Sequence, residues 1–428
     1  MVGSALLHRH QRGARQAVGA VIPSERDGRA QARGEGAVDM AVLKTAAAFL
    51  VAVFILRAAL GAMFQAPGAA GPALVEAFAL DWAGFGTLVG LFWLPGLFLA
   101  YPLGLVARRL GDRRGVLLGI LLLILGALVS TRAEEVALLV AGRLLMGLGT
   151  LLVILLLTKM VQDRFIGRDL FPAMAVYVLG WPLGIAAAQA ALPGFVPDHG
   201  WQFSYQVAAF AAGIAFIAVA LARGPEPRAL PVSASTGSAL TQAEFRRMCL
   251  AGACWALVNG AYMVLVSFAP PMLMARGLGL AEASFAVSLI SWSNLLAVPA
   301  GAWLARRAGV AGPMTISATL FAMLAALALP LADASWAPLL GLLHGFCYAL
   351  PITVFSALAA EAVAPERRAR GLGVYFVWFY AGCTGCPAFA GWLRDVTGSA
   401  TAPVFFAVAA LGVGLGLFVW FRRDLARG

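Results

Sequence analysis

Three ionisable side chains lie inside long apolar segments of this sequence: Arg57, Arg143 and His344. A guanidinium group stays charged in proteins, and a charge at the centre of a bilayer costs at least about 2.5–3.5 kcal/mol. All twenty acidic residues lie in the N-terminal tail, in loops or near predicted span ends, so no carboxylate neutralises the arginines at that depth. Because the planar guanidinium fork suits carboxylate-like anions, both arginines are candidate anchors for an anionic substrate.

Each of these side chains also has a structural interpretation. Arg57 could extend to the membrane surface or bond to an unwound backbone carbonyl, and Arg143 could hold helices together. His344 could be a packed polar residue or a titrating proton site, since the ordinary histidine pKa of about 6.5 suits a switch. The sequence leaves these alternatives open.

Further candidates are polar or aromatic residues inside the spans. A carrier site is mostly apolar with a few polar anchors, and residues four apart on a helix, such as Tyr177 and Trp181, share a face. The predicted substrate-binding set is Arg57, Arg143, Tyr177, Trp181, Asn259, Asn294, His344, Tyr375 and Trp378.

The elements that position these residues are membrane spans. The chain has 428 residues, of which 61% are hydrophobic and 12% charged, whereas soluble domains carry about 45–50% and about 25%. Apolar runs long enough to cross about 30 Å of hydrocarbon predict an all-α integral membrane protein with twelve transmembrane helices. The predicted runs are 45–66, 84–107, 115–131, 135–158, 170–192, 203–222, 247–269, 281–304, 312–331, 336–359, 371–393 and 402–421.

An internal repeat divides these spans into two pseudo-symmetric six-helix halves. The stretch "LVARRLG" at 105–111 closes the second span, and "WLARRAG" at 303–309 closes the eighth. Two related six-span halves with a site between them are typical of transporters. The predicted organisation is a disordered cytoplasmic tail, an N-terminal half, a cytoplasmic linker, a C-terminal half and a short tail, at 1–44, 45–222, 223–246, 247–421 and 422–428.

Positive charge predicts the orientation. If the N-terminus is cytoplasmic, only Arg132, Arg276 and Arg394 of the 31 Lys and Arg residues fall in outer loops, and only Arg57 and Arg143 inside spans. This distribution follows the positive-inside rule and predicts cytoplasmic termini in a cell inner membrane. It also accounts for the net charge of +11 without a nucleic-acid partner.

Other features of the sequence concern the N-terminal tail, the cysteines and the ligands or activities that we do not expect. Residues 1–39 lack a core-forming pattern and are expected to be dispensable, or to precede the true start at Met40. The five cysteines lie in apolar runs, and "CTGC" at 383–386 is interpreted as a small-residue packing face. We expect no cofactor, no metal and a monomer in the lipid bilayer. The sequence lacks the metal-ligand spacing or nucleophile–base pattern of an enzyme and the phosphate loop of an ATP-driven pump.

Two local motifs resemble the major facilitator superfamily. After the second span the family has Gly-x-x-x-Asp-Arg-x-Gly-Arg-Arg, and this chain has Gly104-Leu-Val-Ala-Arg108-Arg109-Leu-Gly111-Asp112-Arg113. In the fourth span the family's Arg-x-x-x-Gly-x-Gly is matched by Arg143, Gly147 and Gly149. The candidate gating residues implied by the resemblance are Gly104, Arg108, Arg109, Gly111, Asp112, Arg113, Gly147 and Gly149.

The first motif departs from the family at Arg108, which stands at the acidic position. In the family this acid holds the inner side shut, so either Asp112 replaces it or the gate is held differently. The arginine in the first span, the end of the second span and "TKMVQDRF" after the fourth resemble the cyanate-permease-like branch. Gly180, Pro182 and Gly184 only loosely resemble the antiporter motif.

The resemblance implies a secondary active transporter that works by alternating access. The expected substrate is a small organic or inorganic anion, moved by symport across the plasma membrane. The alternative is a proton-coupled exporter of drugs or metabolites in which the arginines are structural.

Overall fold

The computed structural model describes residues 25–165, 169–222, 239–307 and 309–427, with the side chains of 25–43, 101, 104–109, 365 and 369 outside that description. The described chain is built of helices joined by short turns. These helices are α1 (Glu25–Ala69), α2 (Gly71–Ala77), α3 (Trp82–Gly90), α4 (Leu94–Leu110), α5 (Asp112–Thr131), α6 (Val136–Arg164), α7 (Leu170–Ala191), α8 (Val196–His199), α9 (Gln202–Leu221), α10 (Gln242–Met274), α11 (Leu280–Ala305), α12 (Ala311–Ala328), α13 (Ala337–Ala349), α14 (Ile352–Glu361), α15 (Arg368–Thr397) and α16 (Ala402–Arg427).

The prediction of twelve membrane-spanning helices is confirmed: twelve described segments are long and apolar enough to cross a membrane. Two of the spans are interrupted. The second consists of α3 and α4, with Pro95 in the first turn of α4, and the tenth consists of α13 and α14, with Pro351 preceding α14. Proline has no N–H to continue a helical ladder but fits a helix start.

Several helices extend beyond the predicted runs. Helix α1 begins at Glu25, inside the segment expected to be a disordered tail, where alanine, arginine and glutamate favour helix. Helix α10 begins at Gln242, inside the predicted linker, because Thr241 and Glu244 form a capping box. The linker residues 223–238 lie outside the described residues, as do residues 1–24. Helix α16 continues to Arg427, past the predicted end of the C-terminal half.

The two halves repeat the same packing pattern. In the N-terminal half, α1 packs on α7 and α9, and α5 packs on α6 and α9. In the C-terminal half, α10 packs on α15 and α16, and α12 packs on α13 and α16. Each N-terminal pair therefore has its counterpart six spans later, as a pseudo-symmetric duplication requires.

The halves meet along two helix pairs. Helix α3 packs on α15, and α7 packs on α11. Because the number of spans is even, α1 begins and α16 ends on the same side of the molecule, which we call the termini side. The opposite side, where α2 and the 78–81 turn lie, is called the far side.

Candidate functional site

Arg57 lies at the middle of the first span and is only 9% exposed. Its Nε donates a hydrogen bond to the backbone oxygen of Tyr177 at 3.0 Å. The guanidinium carbon lies 4.4 Å from the centre of the Tyr177 ring and 5.3 Å from that of Trp181. Cation–π contacts of this kind stabilise a partly desolvated cation, so α7 holds the arginine by one carbonyl and two rings.

The two terminal nitrogens of Arg57 remain available. Neither Nη1 nor Nη2 has a hydrogen-bond partner in the described part of the chain, and neither is sealed from solvent. A guanidinium has five N–H donors, and the contact to Tyr177 uses one of them. The remaining fork can bind an acceptor that enters from outside the protein.

Close packing of α1 on α7 brings Arg57 to this position. A Cβ atom on Gly184 would lie 1.9 Å from the Ala58 backbone oxygen, and one on Gly180 would lie 2.6 Å from the Arg57 Cβ. Small residues let membrane helices approach this closely. The glycines that loosely resemble the antiporter motif therefore form the contact surface for the first span.

An aromatic cluster continues from Trp181 across the interface between the halves. The ring of Trp93 lies 5.5 Å from that of Trp181 and 5.4 Å from that of Phe379. The indole Nε1 of Trp93 also donates to the Met263 sulfur at 3.2 Å. Since Trp93 and Trp181 belong to the N-terminal half, and Met263 and Phe379 to the C-terminal half, the cluster joins the halves beside Arg57.

Asn259 lies one helical turn before Met263 on α10. Its side-chain nitrogen donates to the Trp255 backbone oxygen at 2.9 Å, and Trp255 stacks on Phe379 with ring centres 6.4 Å apart. The amide oxygen of Asn259 has no hydrogen-bond partner among the described residues and is not sealed from solvent. This places a polar group of the C-terminal half near the aromatic cluster.

The remaining predicted aromatic residues lie elsewhere on α15. Tyr375 is buried, with its hydroxyl unpartnered, and Trp378 is 43% exposed and packs against Gly252 of α10. No contact among the described residues joins either side chain to Arg57. The structure therefore brings Arg57, Tyr177 and Trp181 together and leaves Tyr375 and Trp378 on the seam between α10 and α15.

Arg143 is fully buried and uses its three nitrogens within the protein. Nε donates to Leu88 O at 3.0 Å, Nη1 to Met63 O at 3.1 Å and Nη2 to Phe64 O at 3.2 Å. Nη2 also lies 3.5 Å from Val89 O. The fourth span is thereby tied to carbonyl groups of the first and second spans.

His344 lies inside the C-terminal half and has no exposed surface. Its Nδ1 is 2.8 Å from the Ala322 oxygen, whereas its Nε2 is buried and has no partner. The imidazole stacks on Tyr348, which stacks in turn on Tyr262. The Tyr262 hydroxyl is 2.7 Å from that of Ser291, so a polar array connects α13, α10 and α11.

Asn294, another predicted site residue, lies on α11. With its amide nitrogen oriented to donate, it bonds to Ile290 O at 2.9 Å and to Gly345 O at 3.2 Å. It therefore joins α11 to the helix that carries His344. No described contact connects Asn294 or His344 to Arg57.

Two buried glutamines were absent from the predicted site. The side-chain nitrogen of Gln65 donates to the Gln189 side-chain oxygen and lies 3.5 Å from Val266 O. The other two amide atoms of the pair are buried without partners. An amide inside an apolar run is the signal that could have identified each of them. Among the described residues no group of three or more His, Cys, Asp or Glu side chains could hold a metal ion.

The sequence model of the Major Facilitator Superfamily matches residues 53–338 and 248–427, which together span nearly all of the described chain. The chain belongs to the major facilitator superfamily. Members of this family are membrane transporters, so the protein is a multi-pass transporter of a small solute and not an enzyme. No relative among the curated proteins matches the chain.

Solved structures agree with this facilitator fold. A bacterial homologue of the human lysosomal transporter Spinster, inward-facing and unoccupied, is 14% identical with a TM-score of 0.65. The same homologue in its inward-facing and occupied conformation is 15% identical with a TM-score of 0.63. Each match covers 88% of this chain and 95% of the solved chain. At 14–15% sequence identity, these similarities show that the folds are alike.

The fourth-span motif of the facilitator packs three helices together. A Cβ on Gly147 would lie 2.6 Å from Phe92 O of the second span, and one on Gly149 would lie 2.4 Å from Gly119 O of the third. With the hydrogen bonds of Arg143, this motif fixes the fourth span inside its own half.

The loop motif after the second span bonds to other helices of its own half, the N-terminal half. Gly111 adopts a positive φ of 76°, which glycine tolerates, and Asp112 forms an ion pair with Lys159 at 2.6 Å. Arg113 donates to the Ala220 oxygen. The side chains of Gly104, Arg108 and Arg109 lie outside the described residues.

The far side of the facilitator is closed by contacts between the halves. The Asp395 carboxylate accepts hydrogen bonds from the backbone amides of Trp82 and Ala83 at 3.0 and 2.8 Å. The Arg394 guanidinium lies 3.4 Å from the Trp82 ring centre, and Phe85 packs on Phe268 with ring centres 5.4 Å apart. In contrast, none of the six ion pairs in the described chain joins the two halves. Two lie inside the N-terminal half and four inside the C-terminal half.

Proposed function

We propose that this facilitator is a secondary transporter of a small organic or inorganic anion and that Arg57 is the anion anchor. The observation that carries the proposal is the unequal use of the Arg57 donors. Nε is bonded to the protein, but Nη1 and Nη2 have no hydrogen-bond partner in the described chain. An anion that accepts from both nitrogens would neutralise the charge and complete the hydrogen bonds.

The surroundings of Arg57 support an anion of limited size. Tyr177 and Trp181 cover the guanidinium, while Trp93 and Phe379 extend the aromatic surface to the other half. Apolar walls exclude water and strengthen the attraction between opposite charges. Because the cluster includes side chains from both halves, their relative motion would alter access to Arg57, as alternating access requires.

We assign Arg143 a structural role within this proposal. Each of its three guanidinium nitrogens donates to a backbone oxygen, and the residue has no exposed surface. A bound anion would have to displace these contacts. Arg57 and Arg143 therefore differ in what they can offer a substrate, although the sequence gives them the same residue type.

The alternative is an exporter of drugs or metabolites in which Arg57 is structural as well. Its hydrogen bond to Tyr177 and its two ring contacts support that possibility. The discriminating measurement is the thermal stability of the purified protein with small anions, including cyanate, acetate and nitrate, against uncharged and cationic compounds. An anion transporter is stabilised by one or more of the anions.

Variants at Arg57 test the anchor directly. Arg57→Gln should abolish the anion-induced thermal shift and anion uptake into proteoliposomes, while Arg57→Lys keeps the charge, loses the fork and retains part of both. Arg423→Gln removes an exposed arginine distant from the site and serves as the control. Normal anion uptake by Arg57→Gln would refute the anchor role.

For the coupling ion we propose a proton, carried by His344 in symport with the anion. The support is the buried Nε2 without a partner beside an Nδ1 bonded to Ala322 O. Tyr262 and Ser291 belong to the same array and carry no charge. A proton bound to His344 would therefore make this region positively charged. His344→Gln should lose accumulation driven by a pH gradient while retaining anion exchange. Unchanged gradient-driven accumulation would exclude His344 as the proton site.

We further propose that the protein is a monomer in the cytoplasmic membrane with both termini inside the cell. The distribution of lysine and arginine along the sequence supports the orientation, and the monomeric state stays a prediction.

A further inference from the structure

A basic groove lies at the termini side of the C-terminal half, separate from the candidate substrate site. It has a volume of about 640 Å³ and lies between the start of α10, the 365–367 turn and the end of α16. We call it the basic groove. Four arginines line it, Arg246, Arg247, Arg367 and Arg427, together with Glu244, Asp424 and Trp420.

Both carboxylates of the basic groove are already paired with arginines. Asp424 is bonded by Arg246 at 2.5 Å and by Arg247 at 3.0 Å, and Glu244 is bonded by Arg367 at 2.8 Å. The hydrogen bond that Arg367 donates to the Glu244 carboxylate raises the pKa of Arg367, so this guanidinium stays charged. Four arginines facing two carboxylates leave the groove with excess positive charge.

Two of the arginines keep exposed donors that can bind a ligand. Arg246 keeps 55% of its side chain exposed although one of its nitrogens contacts Asp424. Arg427 is exposed and has no carboxylate partner among the described residues. Exposed guanidinium groups around a concave surface bind phosphate oxygens by charge-assisted hydrogen bonds.

The location of the groove indicates the source of the phosphate. The apolar run of α16 ends at Phe421, and Trp420 lines the groove with 56% of its surface exposed. Tryptophan is enriched at the level of lipid headgroups, and basic pockets at helix ends bind anionic headgroups. We propose that the basic groove is a binding site for the phosphate group of an anionic phospholipid.

Native mass spectrometry of the full-length protein tests this site, with phosphatidylglycerol and phosphatidylcholine as the two probes. The wild type should bind phosphatidylglycerol more tightly than phosphatidylcholine. The double variant Arg246→Gln/Arg427→Gln should weaken phosphatidylglycerol binding by about fivefold per arginine. The charge-preserving variant Arg246→Lys/Arg427→Lys should retain most of the binding.

The matched control is Arg368→Gln/Arg370→Gln, which removes the same charge from the same side of the same half but outside the groove. It should leave phosphatidylglycerol binding unchanged. Equal binding of both lipids by the wild type, or an equal loss in the control, would overturn the proposal. Displacement of phosphatidylglycerol by millimolar inorganic phosphate or glycerol 3-phosphate would assign the groove to a soluble phosphate compound instead.

Discussion

The Asp395 carboxylate lies 2.8 Å from the backbone nitrogen of Ala83, so a side chain of the eleventh span caps the helix that begins the second. Asp81 caps the same helix from within its own half, by accepting from Gly84 N at 2.7 Å. A carboxylate at a helix N-terminus is stabilised by the free amides and the helix dipole. One helix end therefore has two caps, of which only Asp395 bridges the halves.

We predict that Asp395→Ala opens the far side and Asp81→Ala does not. Hydrogen bonds to charged groups contribute about 1.5–3 kcal/mol, so the open population should rise by at least about tenfold. The measurement is the labelling rate of a cysteine placed at Phe85, in a background without the native cysteines, by a water-soluble thiol reagent. Equal labelling in both variants would mean that Asp395 does not hold the halves together.

The contact between α1 and α7 leads to a prediction about helix packing. Gly184→Ala places a Cβ where the Ala58 oxygen lies, so the helices must separate at a cost of about 1–3 kcal/mol. The thermal midpoint and the anion-induced shift should both decrease because Arg57 moves relative to Tyr177. Gly213→Ala is the control, since no atom lies within 4 Å of its added Cβ. Equal midpoints for the two variants would contradict the packing argument.

Arg143 should respond to substitution differently from Arg57. Arg143→Gln removes donors from Met63 O, Phe64 O and Leu88 O, and buried acceptors without partners are destabilising. We expect a lower thermal midpoint and lower membrane abundance than for Arg57→Gln. Both quantities are measured by fluorescence-detected chromatography of solubilised membranes. A stable Arg143→Gln protein that has lost only transport would favour a substrate role for this arginine.

The proposed orientation predicts which loops reagents can reach. An impermeant thiol reagent applied to intact cells should label a cysteine at Asp198, on the far side, and spare one at Ser235 in the linker. Permeabilised cells provide the control, since both positions should then be labelled. Labelling of Ser235→Cys alone in intact cells would reverse the orientation.

The sequence predicted the architecture because the relevant signals are local. Apolar runs of sufficient length and the recurrence of the Ala-Arg-Arg-x-Gly pattern six spans apart are properties of single segments. They led to the twelve spans and the two halves, and the motifs at 104–113 and 143–149 led to the facilitator family, which the structure and the comparisons confirm. The breaks at Pro95 and Pro351 are also local, but hydropathy alone does not register a short interruption.

The candidate site could be predicted only as a set of residue types. Tyr177 and Trp181 were expected to share a helix face, and the structure places both rings against Arg57. The Gln65–Gln189 pair was missed because each amide lies alone in its own apolar run. Its significance appears only when two segments 124 positions apart come into contact.

The sequence by itself determined which charges enter the membrane, and the tertiary structure decided which of them keep free donors. Arg57 and Arg143 look alike in sequence, but one bonds to a single carbonyl and the other to carbonyl groups of two neighbouring spans. The physical reason is that every residue carries a backbone oxygen, so residue type cannot encode this partner. Only the packing of helices distant in sequence determines which oxygens an arginine reaches.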